Sequence, residues 1–200
     1  FNPAKKVLAK ANIHRATLSK QGQVIIGFVG RLATEKQVDR FAELFGLPNT
    51  SFLIVGDGPE MANLQKLFAY QHVQFTGKLT GPELANAYAA MDIFVHCGTE
   101  ETFGQTIQEA QASGLPVVAP DRGGPKFIID SGKNGFLVNP DVPNSYRDQV
   151  IELLESPELR KSIGQAAREA VAGKSWHANN AQLFEHYRTA IKINDGDLAA

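Results

Sequence analysis

The fold turns on the stretch Ile93-Phe94-Val95-His96-Cys97-Gly98-Thr99-Glu100-Glu101-Thr102-Phe103-Gly104-Gln105-Thr106-Ile107-Gln108-Glu109. A short apolar run, Ile93 to Val95, leads through a polar turn into an Ala/Gln-rich segment that reads as a helix. Gly104 falls at the turn, with Gln105 and Thr106 opening the helix. Such a strand–turn–helix junction points several free backbone N–H groups at one spot, together with the positive end of the helix dipole. Phosphate is the usual occupant. Glu101 and Glu109 lie eight residues apart on either side of the turn. Glu109 stands about one turn into the helix, within reach of something bound at its N-terminus. Carboxylates that close to a phosphate suit the hydroxyls of attached sugars better than the phosphate itself. The expected ligand is a sugar nucleotide lying across the junction.

Working outward, the same alternation of apolar run and helix repeats along the chain. Strands are expected at Val24–Val29, Ser51–Val55, Val73–Thr76, Ile93–His96, Pro116–Ala119 and Gly135–Val138. Helices are expected at about Thr34–Phe45, with Phe41, Leu44 and Phe45 facing inward, and at Glu60–Tyr70, Gly81–Ala90, Gln105–Ser113 and Lys126–Asp130. Strands that are apolar on both faces belong to a parallel sheet covered on both sides by helices. The fold class is therefore α/β, a Rossmann-like doubly wound parallel sheet. Such sheets bind ligands beyond the carboxyl ends of their strands, where every notable turn of this chain falls. After Pro143 only helices follow, at Tyr146–Leu154, Pro157–Ala172 and Trp176–Ile193. The division expected is 1–20 as linker and first helix, 21–174 as the nucleotide-sugar-binding domain, and 175–200 as a terminal helix and tail.

Composition narrows the classes. Two hundred residues, 43% hydrophobic and 20% charged, make an ordinary globular domain with a sizeable core. A formal net charge of -1 argues against a nucleic-acid partner. One cysteine, Cys97, excludes an intrachain disulfide framework and suits a reducing compartment. The longest apolar run, Val24 to Gly30, is far too short to span a bilayer. The chain opens on Phe1 and not Met, which reads as a processed chain or an excised piece.

Arg31 and Lys36 follow the first strand, where a guanidinium fork and an ammonium could neutralise a diphosphate; taken alone they read first as two surface cations. No Gly-x-x-x-x-Gly-Lys-Ser/Thr run marks a triphosphate loop. Gly56-Asp57-Gly58-Pro59 reads first as a structural turn, and Gly77-Lys78-Leu79-Thr80 as one whose backbone could flank a nucleobase. Glu101 also fits simple helix-end electrostatics, and a pair of hydrolase carboxylates is a further alternative that the phosphate-type turn disfavours. His96 and Cys97 have no partners at zinc-ligand spacing and read as a polar strand end lining the cleft. Gly123-Gly124-Pro125 is expected to form the cleft's far wall.

An ordered set of short motifs carries a resemblance: Gly30-Arg31-Leu32 with Glu35-Lys36, Val55-Gly56-Asp57-Gly58-Pro59, Phe75-Thr76-Gly77, and the Glu101/Glu109 pair. It continues with Ala112-Ser113-Gly114-Leu115-Pro116-Val117-Val118-Ala119, Gly123-Gly124 and Asn134-Gly135-Phe136-Leu137-Val138. Together they resemble the carboxy-terminal, donor-binding domain of the GT-B fold glycosyltransferases of family 4, the retaining group 1 enzymes. The match runs from Phe1-Asn2-Pro3, which is similar to the end of that family's interdomain linker, almost to the C-terminus. The resemblance implies that Arg31 and Lys36 hold the donor diphosphate, aided by the backbone of Phe103, Gly104, Gln105 and Thr106. It implies that Glu109 takes the ribose hydroxyls, that Lys78 and Leu79 flank the base, and that Glu101 binds the transferred sugar and stabilises an oxocarbenium-like transition state. No metal or other cofactor is implied, since in this family the leaving phosphate itself is thought to serve as the base.

Two departures stand out. Gln37 occupies a place where the family often has glycine, which leaves the path of that loop open. His96-Cys97-Gly98 replaces a common Pro-Ser. That variant looks closest to GDP-mannose-dependent α-mannosyltransferases acting on lipid-linked acceptors, with UDP-sugars as the next donor class. The resemblance further implies a separate amino-terminal acceptor domain as partner, a terminal helix that packs back on it, and no transfer activity by this half alone. It implies a cytoplasmic place, with peripheral membrane association through that other domain. The competing readings are a non-catalytic nucleotide-binding or interaction domain and a sugar-nucleotide epimerase or phosphorylase of the same fold.

Overall fold

The computed structural model describes residues 23–173 and 176–194. The linker and helix expected over 1–20 lie outside the described residues. Six strands form one sheet in the order β3-β2-β1-β4-β5-β6. They are β1 (Val24–Val29), β2 (Thr50–Val55), β3 (Val73–Phe75), β4 (Ile93–Val95), β5 (Val117–Pro120) and β6 (Phe136–Val138), and every pairing between them is parallel. The helices are α1 (Met61–Leu67), α2 (Gly81–Ala90), α3 (Gln105–Ala112), α4 (Ser145–Glu155), α5 (Pro157–Val171) and α6 (Trp176–Asn194).

Strand side chains alternate between two buried layers. Ile26, Phe28 and Ile54 share one core with Phe41, Leu64, Tyr146 and Ile163. Ile25, Val29 and Leu53 share the other with Tyr88, Met91, Ile107 and Ala110. A sheet buried on both faces is the reason the strands carry unbroken apolar runs and not an alternating pattern. The doubly wound parallel sheet expected from the sequence is the one observed.

Two expected helices differ. The helix anticipated over Thr34–Phe45 is a pair of 3-10 segments, Thr34–Lys36 and Val38–Leu44, broken at Gln37, which adopts a left-handed conformation with φ 48° and ψ 41°. The helix anticipated at Lys126–Asp130 is a single 3-10 segment at Gly124–Phe127. There the chain turns early because Gly123 and Gly124 pack directly on the backbone after β4. A Cβ at Gly124 would stand 2.5 Å from the Thr102 carbonyl oxygen, and one at Gly123 would stand 2.8 Å from that of Glu101.

The described residues divide into two compact units that part between Ala170 and Val171. Within the second, α6 exposes Leu183, Phe184, Tyr187 and Ile191. Among the described residues no helix is long and apolar enough to cross a membrane.

Candidate functional site

β1 pairs with β2 on one side and β4 on the other, so strand order reverses between β1 and β4. That reversal opens a crevice beyond their carboxyl ends. The segment after β1 and the loop after β4 meet across it. Lys36 donates to Glu101 Oε2 at 2.8 Å, and the Gly104 N–H donates to Glu101 Oε1 at 2.9 Å. Beside them the Gln37 amide donates to Thr99 Oγ1 at 3.0 Å while its oxygen accepts from Arg40. Gly98 permits this closeness, because a Cβ there would lie 3.1 Å from the Glu35 carbonyl oxygen. From below, Gly124 donates its N–H to the Glu101 carbonyl. The Gly123-Gly124 turn, expected as a far wall, is thus the support on which the Glu101 loop rests.

Partial burial pushes the Glu101 carboxyl up, but the Lys36 ammonium and the Gly104 N–H outweigh it and hold the group below its usual value. Glu101 is ionised at neutral pH. His96 is 1% exposed and its Nε2 stands 3.8 Å from Glu101 Oε2, too far for a hydrogen bond. Burial is the main cause that drives its imidazole down to about 4, against the opposing pull of Glu101, so the ring is neutral. The ring lies nearly parallel to Phe28 of β1, at 18° and 6.5 Å between centroids. Among the described residues no group of three or more His, Cys, Asp or Glu gathers as a metal site.

Glu109 is held differently. It is half-buried in α3; its Oε2 accepts from the Tyr88 hydroxyl of α2 at 2.9 Å, and its Oε1 from the Gln105 amide at 3.1 Å. Tyr88 is fully buried, and burial followed by the Glu109 charge raises its phenol far above its ordinary value, so it stays a donor. Gly104 caps α3 in the left-handed region, φ 65°, where a Cβ would strike Ile128 at 2.4 Å. The Gly104 N–H, expected to face a phosphate, is occupied by Glu101. The N–H groups of Gln105 and Thr106 take no partner among the described residues and face the end of the helix.

Arg31 stands exposed on the β1 side, paired with Glu35 at 2.6 Å. It borders a cavity of about 400 Å³ lined also by Gly30, Val55, Gly56, Lys78, Leu79 and Leu84. The apolar walls, with Arg31, Lys78 and Asp57 as the charged residues of the lining, suit a flat heterocycle held by polar groups at its edge. Gly56 makes that end compact, for a Cβ on it would stand 1.8 Å from the Gly30 carbonyl oxygen at φ 141°. Phe103 is 59% exposed, and its carbonyl accepts from Gln108.

The sequence-predicted residues therefore fall into two groups beyond the strand ends. Lys36, Glu101 and Gly104 are joined by direct bonds, while Arg31, Lys78 and Leu79 share one cavity. Glu109 joins neither group directly. Tyr88, which orients it, was missed, because a tyrosine on the inner face of an apolar helix carries no sign of where its hydroxyl points. The Lys36–Glu101 pairing was missed as well, since both residues were assigned to a ligand and not to each other.

The family model for glycosyl transferases group 1 matches residues 9–170. Over 90% of its length the chain is 44% identical to a protein of Mycobacterium tuberculosis named GDP-mannose-dependent alpha-mannosyltransferase, of which it covers 46%. It is 40% identical over 82% of its length to the Arabidopsis thaliana sulfoquinovosyl transferase SQD2, of which it covers 33%. Among solved structures, a sucrose-phosphate synthase from Thermosynechococcus elongatus superposes with a TM-score of 0.81 at 26% identity, covering 96% of this chain and 51% of that one. The chain spans about half the length, or less, of the relatives it matches.

Proposed function

We propose, because the chain belongs to the group 1 glycosyl transferases, that it is the donor-binding half of a retaining glycosyltransferase. The whole enzyme moves a hexose from a nucleoside-diphospho-sugar to a sugar or lipid-linked acceptor. GDP-mannose is the first choice of donor, supported by the mannosyltransferase relative at 44% identity. A UDP-sugar comes second, supported by a solved neighbour at 26% identity, the TarM of S. aureus, which is in complex with UDP.

The observation that carries this reading is the convergence at one switch point of a cation from the segment after β1, Lys36, and two carboxylates flanking the N-terminus of α3, Glu101 and Glu109. In this reading the base enters the cavity between Arg31 and Lys78–Leu79, and the ribose hydroxyls donate to Glu109. The diphosphate lies on the N–H groups of Gln105 and Thr106, beside Phe103 and Gly104, with Lys36 and Arg31 neutralising it. These two cations supply the positive charge, so the reading calls for no metal or other cofactor. During transfer the bond from the anomeric carbon to the phosphate oxygen breaks, and the acceptor oxygen bonds to the same face of that carbon. The acceptor proton passes to the leaving phosphate. Glu101, the one catalytic residue assigned to this half, binds the sugar hydroxyls and stabilises the positive charge that develops on the ring. A separate amino-terminal domain provides the acceptor site. The reading places the enzyme in the cytoplasm, at the inner face of the membrane when the acceptor is lipid-linked, and the lone buried thiol Cys97 supports a reducing compartment.

Calorimetry with GDP and UDP, on the chain and on Glu109→Ala, tests this. GDP is expected to bind more tightly than UDP, and the substitution to weaken both. Equal binding by chain and variant removes the ribose assignment, tighter UDP binding reverses the donor, and no binding of either overturns the reading. The chain alone is expected to transfer no sugar; turnover of GDP-mannose by the purified chain would show that no second domain is needed.

A further inference from the structure

His96 is a buried polar side chain for which the proposed reaction has no use. It is 1% exposed, and neither Nδ1 nor Nε2 makes a hydrogen bond among the described residues. A buried polar nitrogen without a partner carries a free-energy cost, so in a native structure it calls for an explanation. The Gly98 backbone lies beside the ring, and the side-chain acceptor that faces it is Oε2 of Glu101, 3.8 Å from Nε2 and already taken by Lys36 at 2.8 Å. The imidazole is buried, and Phe28 lies nearly parallel to it. The carboxylate is the member that can move. Its other oxygen, Oε1, is pinned by the Gly104 N–H at 2.9 Å, and a pivot of about 1 Å about that pin brings Oε2 within hydrogen-bond range of the ring.

Resting on the nucleotide-sugar reading above, we propose that His96 is a positioning residue that takes over Glu101 when Lys36 is drawn away to a donor diphosphate. Lys36 holds Glu101, and a diphosphate bound at the N-terminus of α3 competes for the same ammonium. Once the ammonium turns to the phosphates, Glu101 Oε2 loses its donor. The Nε2–H of His96 replaces it, so Glu101 keeps a fixed orientation toward the sugar while the cation works on the leaving group. The charged groups that face the ring are Glu101, on the loop after β4, and Lys36, on the segment after β1. Loss of the lysine charge from this trio and gain of the carboxylate contact act in the same direction on the ring, favouring its protonated form.

Nitrogen-15 NMR of the histidine-labelled chain reads this directly, with the His96 signals identified by their loss in His96→Gln. Saturation with GDP is expected to fix the ring in its Nε2–H tautomer with a slowly exchanging proton, and to move its titration midpoint upward by about one unit. Lys36→Gln without ligand is expected to fix the same tautomer, and Lys36→Gln with Glu101→Ala, which removes the acceptor, to abolish it. GDP binding that leaves the His96 ring signals unchanged overturns the hand-over. A ring that ignores Lys36→Gln does so too. If GDP fails to bind while Lys36→Gln still fixes the tautomer, the His96–Glu101 pairing is supported and the nucleotide reading is the one that falls.

Discussion

Glu101 and Glu109 are eight residues apart, and the molecule holds them by different physics. Glu101 sits on a loop, tied by a charge-assisted bond to Lys36, 65 residues earlier in the chain, and by one backbone N–H. Glu109 sits on a helix, tied by two uncharged donors, Tyr88 and Gln105. The first arrangement is strong but contestable, because any anion that arrives competes for the same ammonium. The second has no such competitor, since a phenol and an amide gain little from a phosphate. A site built this way keeps the ribose ligand rigid and lets the sugar ligand change partners. Support from neighbouring turns follows the same division: the Glu101 loop rests on Gly123-Gly124 and on Gln37, whereas Glu109 needs only α2 behind it.

The largest effect that could break this contrast is acid sensitivity on the Glu101 side. His96 titrates at about 4 in the folded chain against 6.5 as its ordinary value. A folded-state value below the unfolded one means that the unfolded chain takes up the proton first as pH falls. The neutral ring therefore contributes stability above pH 6.5, and this is lost as pH drops through about 4. The loss is at most about 3 kcal/mol. Urea denaturation from pH 7 to 4 should show a decline that is much shallower in His96→Gln. Matching slopes in the two proteins would mean that the ring is not held neutral beside Glu101.

On the other side, Tyr88→Phe sharpens the role of the uncharged donors. Removing a hydrogen bond to a carboxylate costs about 1.5 kcal/mol, which is roughly tenfold in affinity. Calorimetry should show GDP binding weakened by that factor and 2′,3′-dideoxy-GDP binding unchanged, because only the ribose hydroxyls meet Glu109. If both nucleotides weaken together, Tyr88 supports the fold and not the orientation of Glu109.

Legibility in the sequence follows the same line. β1 and α2 have the limits expected of them, Val24–Val29 and Gly81–Ala90, because each is bounded by local signals: a glycine after the strand, and Gly-Pro opening the helix. The strand–turn–helix at Ile93–Glu109 was readable for the same reason. What failed was decided at a distance. Gln37 breaks an otherwise helical pattern with no glycine to announce it, because its side chain is drawn to Thr99, 62 residues away. Lys36 and Glu101, and likewise Tyr88 and Glu109, find each other only after the sheet has brought their loops and helices together. Residue type and local spacing reveal where a ligand can sit; they do not reveal which side chains there hold one another.

The smallest effect concerns Gln37 itself, and here two terms of similar size oppose each other. A residue with a Cβ held at φ 48° costs about 1 kcal/mol relative to glycine. Against that, the Gln37 side chain donates to Thr99 at 3.0 Å and accepts from Arg40 at 2.8 Å, each half-buried bond contributing about 1 kcal/mol. Gln37→Gly relieves the first term and loses both bonds, for a net destabilisation of about 1 kcal/mol or less. Gln37→Asn separates the terms, since asparagine tolerates the left-handed region but is one methylene too short to keep the Thr99 contact. Both variants should lower the urea midpoint slightly, and both should slacken the Thr99–Glu101 loop while the Tyr88–Glu109 contact is undisturbed. A stabilised Gln37→Gly would show that backbone strain outweighs the side-chain bonds, and that Gln37 does not anchor the Glu101 loop.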